Sequence, residues 1–223
     1  MVPLTTTDYP GGLAAVLFCQ GCPWRCAYCQ NTHLIPPKGE RELAWSDVLA
    51  FLRRRIGLLD AVVFSGGEPS LQQAIVAAAR QVRGMGFKLG LHTAGPYPER
   101  LAEVLPELDW VGMDVKAGFA DYAATTGVPG SGAKAQASAR LLLESGIAHE
   151  FRTTWHPALM SAERLRALAR TLAGMGVRRF ALQAFRATGC ADAGLNAAPA
   201  VRIDEEMLAE LAQMFAEFVY RPA

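Results

Sequence analysis

The sequence predicts an α/β fold: a parallel sheet that curls into an open arc, a partial (βα)6 barrel of the TIM-like kind. Three observations carry this. Short apolar runs alternate six times with longer stretches of helical periodicity, the pattern of βα units around a parallel sheet. Six repeats fall short of the eight that close a barrel, so a lateral gap should remain. Finally, 223 residues with 51% hydrophobic content suit one folding unit, so residues 1–223 should form a single domain.

The elements follow in order. The first predicted strand is the apolar run Ala14–Phe18. A helix over Ser46–Ile56 comes next, with Ser46 ahead of Asp47 as an N-cap signal and Arg53-Arg54-Arg55 as cations at its end. Strand Ala61–Ser65 leads to helix Leu71–Met85, which Gly86 should stop. Strand Lys88–Leu91 precedes helix Glu99–Leu105, and strand Trp110–Asp114 precedes helix Lys134–Glu144, stopped by Gly146. Strand Glu150–Thr154 leads to helix Ala162–Gly174, opened by Ser161 ahead of Glu163 and closed by Gly176. Strand Arg179–Ala184 and helix Asp204–Phe218 complete the series. Gly127–Ala135 and Gly189–Pro199 lack apolar periodicity and read as loops, the second within a flexible C-terminal loop of about 187–203.

Composition narrows the function. Lys plus Arg total 22 against 21 Asp plus Glu, a net charge of +1, so no large field draws the protein to nucleic acid or an anionic membrane. The longest apolar start, Leu13–Cys19, is too short to cross a bilayer. Five cysteines with four crowded together make a poor disulfide framework, which suits a reducing, cytoplasmic setting.

The chemistry is concentrated in the run Cys19-Gln20-Gly21-Cys22-Pro23-Trp24-Arg25-Cys26-Ala27-Tyr28-Cys29, within a loop over residues 19–31. Cys22, Cys26 and Cys29 have the spacing C-x3-C-x2-C. Three thiolates can hold three irons of a [4Fe–4S] cube and leave the fourth open, whereas a closed cube uses four. Structural zinc is the alternative, but zinc sites pair two cysteine knuckles across a spacer that this run lacks. Downstream, Phe64-Ser65-Gly66-Gly67-Glu68-Pro69 follows a predicted strand, and Val111-Gly112-Met113-Asp114-Val115-Lys116 ends another. Gly66 and Gly67 would let backbone approach a ligand closely, Glu68 could accept from an ammonium group, and Asp114 and Lys116 should share a face.

These motifs resemble the radical S-adenosylmethionine (SAM) superfamily. The resemblance implies a partial barrel, catalytic cluster ligands Cys22, Cys26 and Cys29, and SAM as second cofactor. It places Tyr28 beside the adenine, Gly66-Gly67-Glu68 at the amino group, and Lys116 and Arg152 at the carboxylate, with Asp114 in a polar or cation-binding site nearby. Cys19 lies outside the pattern and should be a packed thiol, and the lone Cys190 an inert one. Two positions depart from pyruvate formate-lyase activating enzyme: His92 stands where that enzyme has a carboxylate that helps bind a monovalent cation, which makes the cation doubtful, and Gln183 or Arg186 replaces a histidine near the nucleoside.

Together with Thr7-Asp8-Tyr9-Pro10-Gly11-Gly12, the motifs are most similar to the anaerobic ribonucleoside-triphosphate reductase activating proteins. That resemblance implies cleavage of SAM to a 5′-deoxyadenosyl radical and abstraction of a glycine α-hydrogen. The partner would be a glycyl-radical enzyme such as anaerobic ribonucleotide reductase, with flavodoxin or ferredoxin as a low-potential electron donor. The alternatives are a small-molecule or peptide-modifying enzyme similar to 7-carboxy-7-deazaguanine synthase, whose spacing insertions are absent, and a non-catalytic iron–sulfur or zinc module.

Overall fold

Eight strands make one sheet whose spatial order follows the chain, in a computed structural model that describes residues 1–198 and 203–223. β1 (Val2–Thr5) runs antiparallel to β2 (Ala14–Cys19). Every later pairing is parallel, through β3 (Ala61–Gly66), β4 (Lys88–Thr93), β5 (Trp110–Asp114), β6 (Ala148–Trp155), β7 (Arg179–Ala184) and β8 (Glu217–Arg221). β1 and β8 each have one neighbour, so the sheet keeps two free edges and the barrel is partial. All six predicted strands are present. β1 and β8 extend the sheet by one strand at each edge.

The helices are α1 (Trp45–Arg53), α2 (Ile75–Arg83), α3 (Pro98–Val104), α4 (Tyr122–Thr126), α5 (Ser131–Ser145), α6 (Ala162–Gly174), α7 (Ala193–Ala197) and α8 (Glu205–Met214). Ser161 caps α6 by accepting from the Arg164 amide, as predicted. Ser46 does not cap: Ala44 is the N-cap of α1, and Ser46 lies inside the first turn. α2 starts at Ile75 rather than Leu71 because Glu68 and Pro69 first open a separate 3-10 turn, Pro69–Leu71. Half of the predicted loop Gly127–Ala135 is the start of α5, and α7, capped by Asp192, interrupts the loop predicted at Gly189–Pro199. Pro199 and the rest of 199–202 lie outside the described residues.

The predicted helix Asp204–Phe218 divides in two. α8 ends at Met214, Phe215 is extended at φ −127° and ψ 149°, and β8 follows. Aromatic packing accounts for the break. Phe215 and Phe218 set their rings 4.8 and 6.2 Å from that of Phe180 on β7, a contact that an unbroken helix would turn away.

Strand residues alternate between two faces. On one face Leu17, Phe64, Leu91, Val111, Met113 and Phe151 pack with Leu52, Val82, Leu101, Leu142 and Leu168 of the helices. On the other, Tyr9 gathers Ala14, Val16, Ala61, Val63 and Trp110. Tyr9 thus bridges β2, β3 and β5 from a single point, which requires that face to be concave. Burial of the first face under helices supplies most of the hydrophobic stabilisation, at about 25 cal/mol per Å² of apolar surface removed from water.

Candidate active site

The cysteine loop leaves the C-terminal end of β2 and is tied down on several sides. Gly21 donates its amide to the Leu34 carbonyl at 2.8 Å and Cys22 to that of Ile35 at 3.1 Å. Arg25 donates to the Thr126 carbonyl at 2.9 Å, while the Trp24 ring meets Tyr122 edge-on at 5.5 Å. Cys29 closes a turn onto the Cys26 carbonyl at 3.0 Å. From the far side, the Gln30 side chain donates to the Arg186 carbonyl at 2.7 Å. The three thiols are therefore carried on a loop whose backbone is largely satisfied before any ligand binds.

The Gly66-Gly67-Glu68 turn holds this loop. Gly67 donates to the Cys19 carbonyl and Glu68 to that of Gly21, both at 2.9 Å. A Cβ on Gly67 would stand 2.3 Å from the Gly21 carbonyl oxygen and 2.7 Å from that of Leu34; one on Gly66, at φ +114°, would meet the Cys19 backbone at 2.5 Å. The sequence reading gives these glycines to a bound ligand. In the structure their bare faces lie against the cysteine loop.

Glu68 has a structural role as well. Only 1% of it is exposed, and its carboxylate accepts from the Ser70 amide (3.0 Å), the Ser70 hydroxyl (2.7 Å), the Thr93 hydroxyl (2.7 Å) and the Ala94 amide (3.0 Å). Burial raises its pKa while these donors pull the other way. With four protein donors in place, Glu68 links the ends of β3 and β4.

The charged residues lie on the next strands. β5 and β6 pair with Asp114 opposite Arg152, and the Arg152 Nε donates to an Asp114 oxygen at 2.8 Å. Burial would raise the Asp114 pKa, yet Arg152 and Lys116 hold it below the usual carboxylate value. Lys116 stands 5.4 Å from the Tyr28 ring centroid. Burial alone would lower its pKa, but Tyr28, Cys26 and Asp114 keep it well above the ordinary value. Tyr28 itself is buried against Cys190 and Leu195. His92 sets Nε2 3.1 Å from the Asp8 carbonyl and Nδ1 3.4 Å from the Ser65 hydroxyl. Burial, then the Arg152 charge, push it down to about 3, so the ring is neutral.

The donor set fits an iron–sulfur cluster. Cys22, Cys26 and Cys29 are half-buried free thiols. Burial pushes Cys22 up to about 11 and raises Cys26, with Lys116 opposing both. Iron displaces such protons on binding, and the Lys116 cation offsets the charge left behind. Among the described residues no three His, Cys, Asp or Glu side chains close on one point as a single ion would require; a cube takes its thiols at separate corners. Cys19 ends β2 packed against the core, its thiol pushed to about 12 by burial.

A model of the radical SAM superfamily matches residues 16–157, which include the predicted site residues from Cys22 to Arg152. The chain belongs to the radical SAM superfamily. Its cofactors are those of the family, a [4Fe–4S] cluster and SAM. A Methanocaldococcus jannaschii protein, provisionally described as a glycyl-radical enzyme activating enzyme, is 28% identical over 229 residues, covering 98% of this chain and 91% of its own. Pyruvate formate-lyase-activating enzyme of Clostridium pasteurianum is 33% identical over 110 residues, covering 47% of this chain and 46% of that enzyme. Among solved structures, SuiB of Streptococcus suis bound to S-adenosylmethionine superposes with a TM-score of 0.69 at 15% identity, over 94% of this chain and 50% of SuiB. The chain thus spans most of the first relative and about half of the other two. SuiB shares the fold.

Some residues that contact the predicted ones escape sequence reasoning. Asp8 and Ser65 flank His92, Ser70 and Thr93 bind Glu68, and the Tyr122 hydroxyl accepts the Lys116 amide at 2.9 Å. Their partners lie on other elements, which no local pattern marks. Gly112 could have been found, since an isolated glycine inside a strand signals close approach by something else. Of the two residues suggested for the nucleoside, Arg186 donates to the Pro222 carbonyl at 3.1 Å. Among the described residues, no helix is long and apolar enough to cross a membrane.

Proposed function

We propose that this radical SAM enzyme activates a glycyl-radical enzyme, with anaerobic ribonucleotide reductase as the partner. The observation that carries the activity is the placement of a three-thiol loop, Lys116 and the Asp114–Arg152 pair at one end of the sheet. Similarity to a glycyl-radical activating enzyme over 98% of the chain supports the target class. The Thr7–Gly12 segment, the cysteine run and the Asp114-Val115-Lys116 strand end support the reductase.

In this reading Cys22, Cys26 and Cys29 hold the cluster, and Lys116 with Arg152 receives the SAM carboxylate. With both groups bound, the cofactor pair would supply one-electron cleavage of SAM to methionine and a 5′-deoxyadenosyl radical, the species that would take the α-hydrogen of a partner glycine. The chain supplies orientation and a dry setting. Tyr28, buried under Lys116, walls the thiol loop from water on the side of α7. A flavodoxin or ferredoxin supplies the electron.

The test is electron paramagnetic resonance of anaerobic ribonucleotide reductase after anaerobic incubation with the reduced, cluster-loaded protein and SAM. A glycine doublet with matching 5′-deoxyadenosine is the expected result. Release of 5′-deoxyadenosine without any doublet, across several glycyl-radical enzymes, would refute the target class and leave the SAM chemistry standing.

A further inference from the structure

The space beside Asp114 is already occupied by a positive charge of the chain's own. β5 carries glycine at position 112, and the volume that a side chain would fill there is taken by Arg152. A Cβ on Gly112 would lie 2.9 Å from both Cζ and Nη1 of Arg152, and 2.7 Å from the Trp110 ring. The guanidinium donates through Nε to Asp114 at 2.8 Å and through Nη2 to the Gly112 carbonyl at 3.3 Å, and only 9% of Arg152 is exposed. The donors and planar shape of a guanidinium suit both contacts at once.

The surroundings are unsuited to a metal ion. Hard cations ask for several oxygens converging at short range. One Asp114 oxygen is committed to Arg152. The adjoining His92 offers nitrogen, and its two ring nitrogens face Asp8 and Ser65. The other nearby carboxylate, Asp8, accepts from the Thr5 hydroxyl at 2.6 Å. A second cation would also be repelled by the guanidinium, across an interior that screens poorly.

We propose that Arg152, admitted by Gly112, is a built-in cation at the SAM-binding end of the barrel, so that SAM binds without a free sodium, potassium or magnesium ion. The assignment rests on the reading that SAM docks at this end. Arg152 then offsets Asp114, so that Lys116 and Arg152 together keep a net positive charge for the carboxylate of SAM.

The experiment is calorimetric titration of SAM into anaerobically cluster-loaded protein, exchanged at constant ionic strength into choline, sodium, potassium or magnesium chloride. The expected Kd agrees across all four within about twofold. Tightening of about tenfold or more with any one metal ion would overturn the assignment. Arg152→Ala extends the test: about tenfold weaker binding that a few millimolar guanidinium, or sodium or potassium, partly restores is expected, with a melting curve to verify folding. Binding equal to wild type in that variant would overturn the assignment as well. Should the variant fail to fold, the wild-type comparison decides. Absence of SAM uptake in every salt would instead overturn the functional reading beneath it.

Discussion

Gly67→Ala tests whether the glycine turn serves the cysteine loop or the ligand. The new methyl would stand 2.3 and 2.7 Å from two backbone oxygens, where ordinary contact begins near 3.4 Å. Neither oxygen is the end of a flexible side chain, so the loop backbone must retreat by about 1 Å. Overpacking of this kind costs roughly 1–3 kcal/mol. The retreat also strains the bonds from Glu68 to Gly21 and from Gly21 to Leu34, each contributing about 0.5–1.5 kcal/mol. A total near 4 kcal/mol lowers Tm by roughly 10 °C in a chain of this size. The assay is thermal melting of the cluster-free protein, followed by iron and sulfide analysis after anaerobic reconstitution. Gly146→Ala is the control: Gly146 ends α5 at φ +71° with nothing within 4 Å, so it should cost about 1 kcal/mol and leave iron content alone. Full iron content and an unchanged melt in Gly67→Ala would refute the reasoning, as would equal iron loss in both variants.

Three further outcomes follow from the same contacts. Glu68→Gln cannot keep all four donors satisfied, because its amide nitrogen must face an N–H or O–H; a loss of about 1–3 kcal/mol is expected in denaturant melts, with the SAM Kd of the cluster-loaded fraction unchanged. His92 is neutral when folded and ordinary when unfolded, so the unfolded chain takes up a proton first as pH falls. Stability from this group is therefore intact above about 6.5 and drains between 6.5 and about 3, by up to about 1.4 kcal/mol per pH unit. His92→Asn should flatten that part of the stability–pH curve, and an unchanged slope would show the ring to be protonated already. Cys19→Ser should keep iron content at the wild-type level, measured by iron analysis; a loss of one iron per chain would make Cys19 a ligand.

The sequence exposed most of the fold and the chemistry of the site, but not its mechanics. Parallel strands buried under helices are continuous apolar runs, which is why Ala14–Phe18 and Ala61–Ser65 were legible. The edge strands were not. Val2–Thr5 is short and largely exposed, and Glu217–Arg221 continues the apolar spacing of α8 until Phe215 turns out of the helix. At the site, residue type and spacing marked the three cysteines, Asp114 and Lys116, and the family resemblance marked Arg152. What those residues touch was hidden. Gly67 and Glu68 read as ligand contacts from their motif, and the structure adds that Gly67 lies against Gly21 and Leu34 of the cysteine loop while Glu68 binds Thr93 and Ala94 at the end of β4.

Those contacts separate two jobs that one motif was expected to share. Gly66 and Gly67 lie against the cysteine loop, so their substitution disturbs where Cys22 is carried and hence cluster uptake, whereas Glu68 ties β3 to β4 through its carboxylate, so its substitution lowers stability. Lys116, Asp114 and Arg152 act through charge at the rim, so their substitution disturbs affinity for SAM while the cysteine loop keeps its hydrogen bonds to Leu34, Ile35 and Thr126. No hydrogen bond links the Glu68 side chain to that of Asp114, Lys116 or Arg152 among the described residues. Energetic effects of sites without shared partners add. A Glu68→Gln, Arg152→Ala double variant should then lose stability as the first and SAM affinity as the second, with coupling below about 0.5 kcal/mol; stronger coupling would mean that Glu68 reaches the ligand after all.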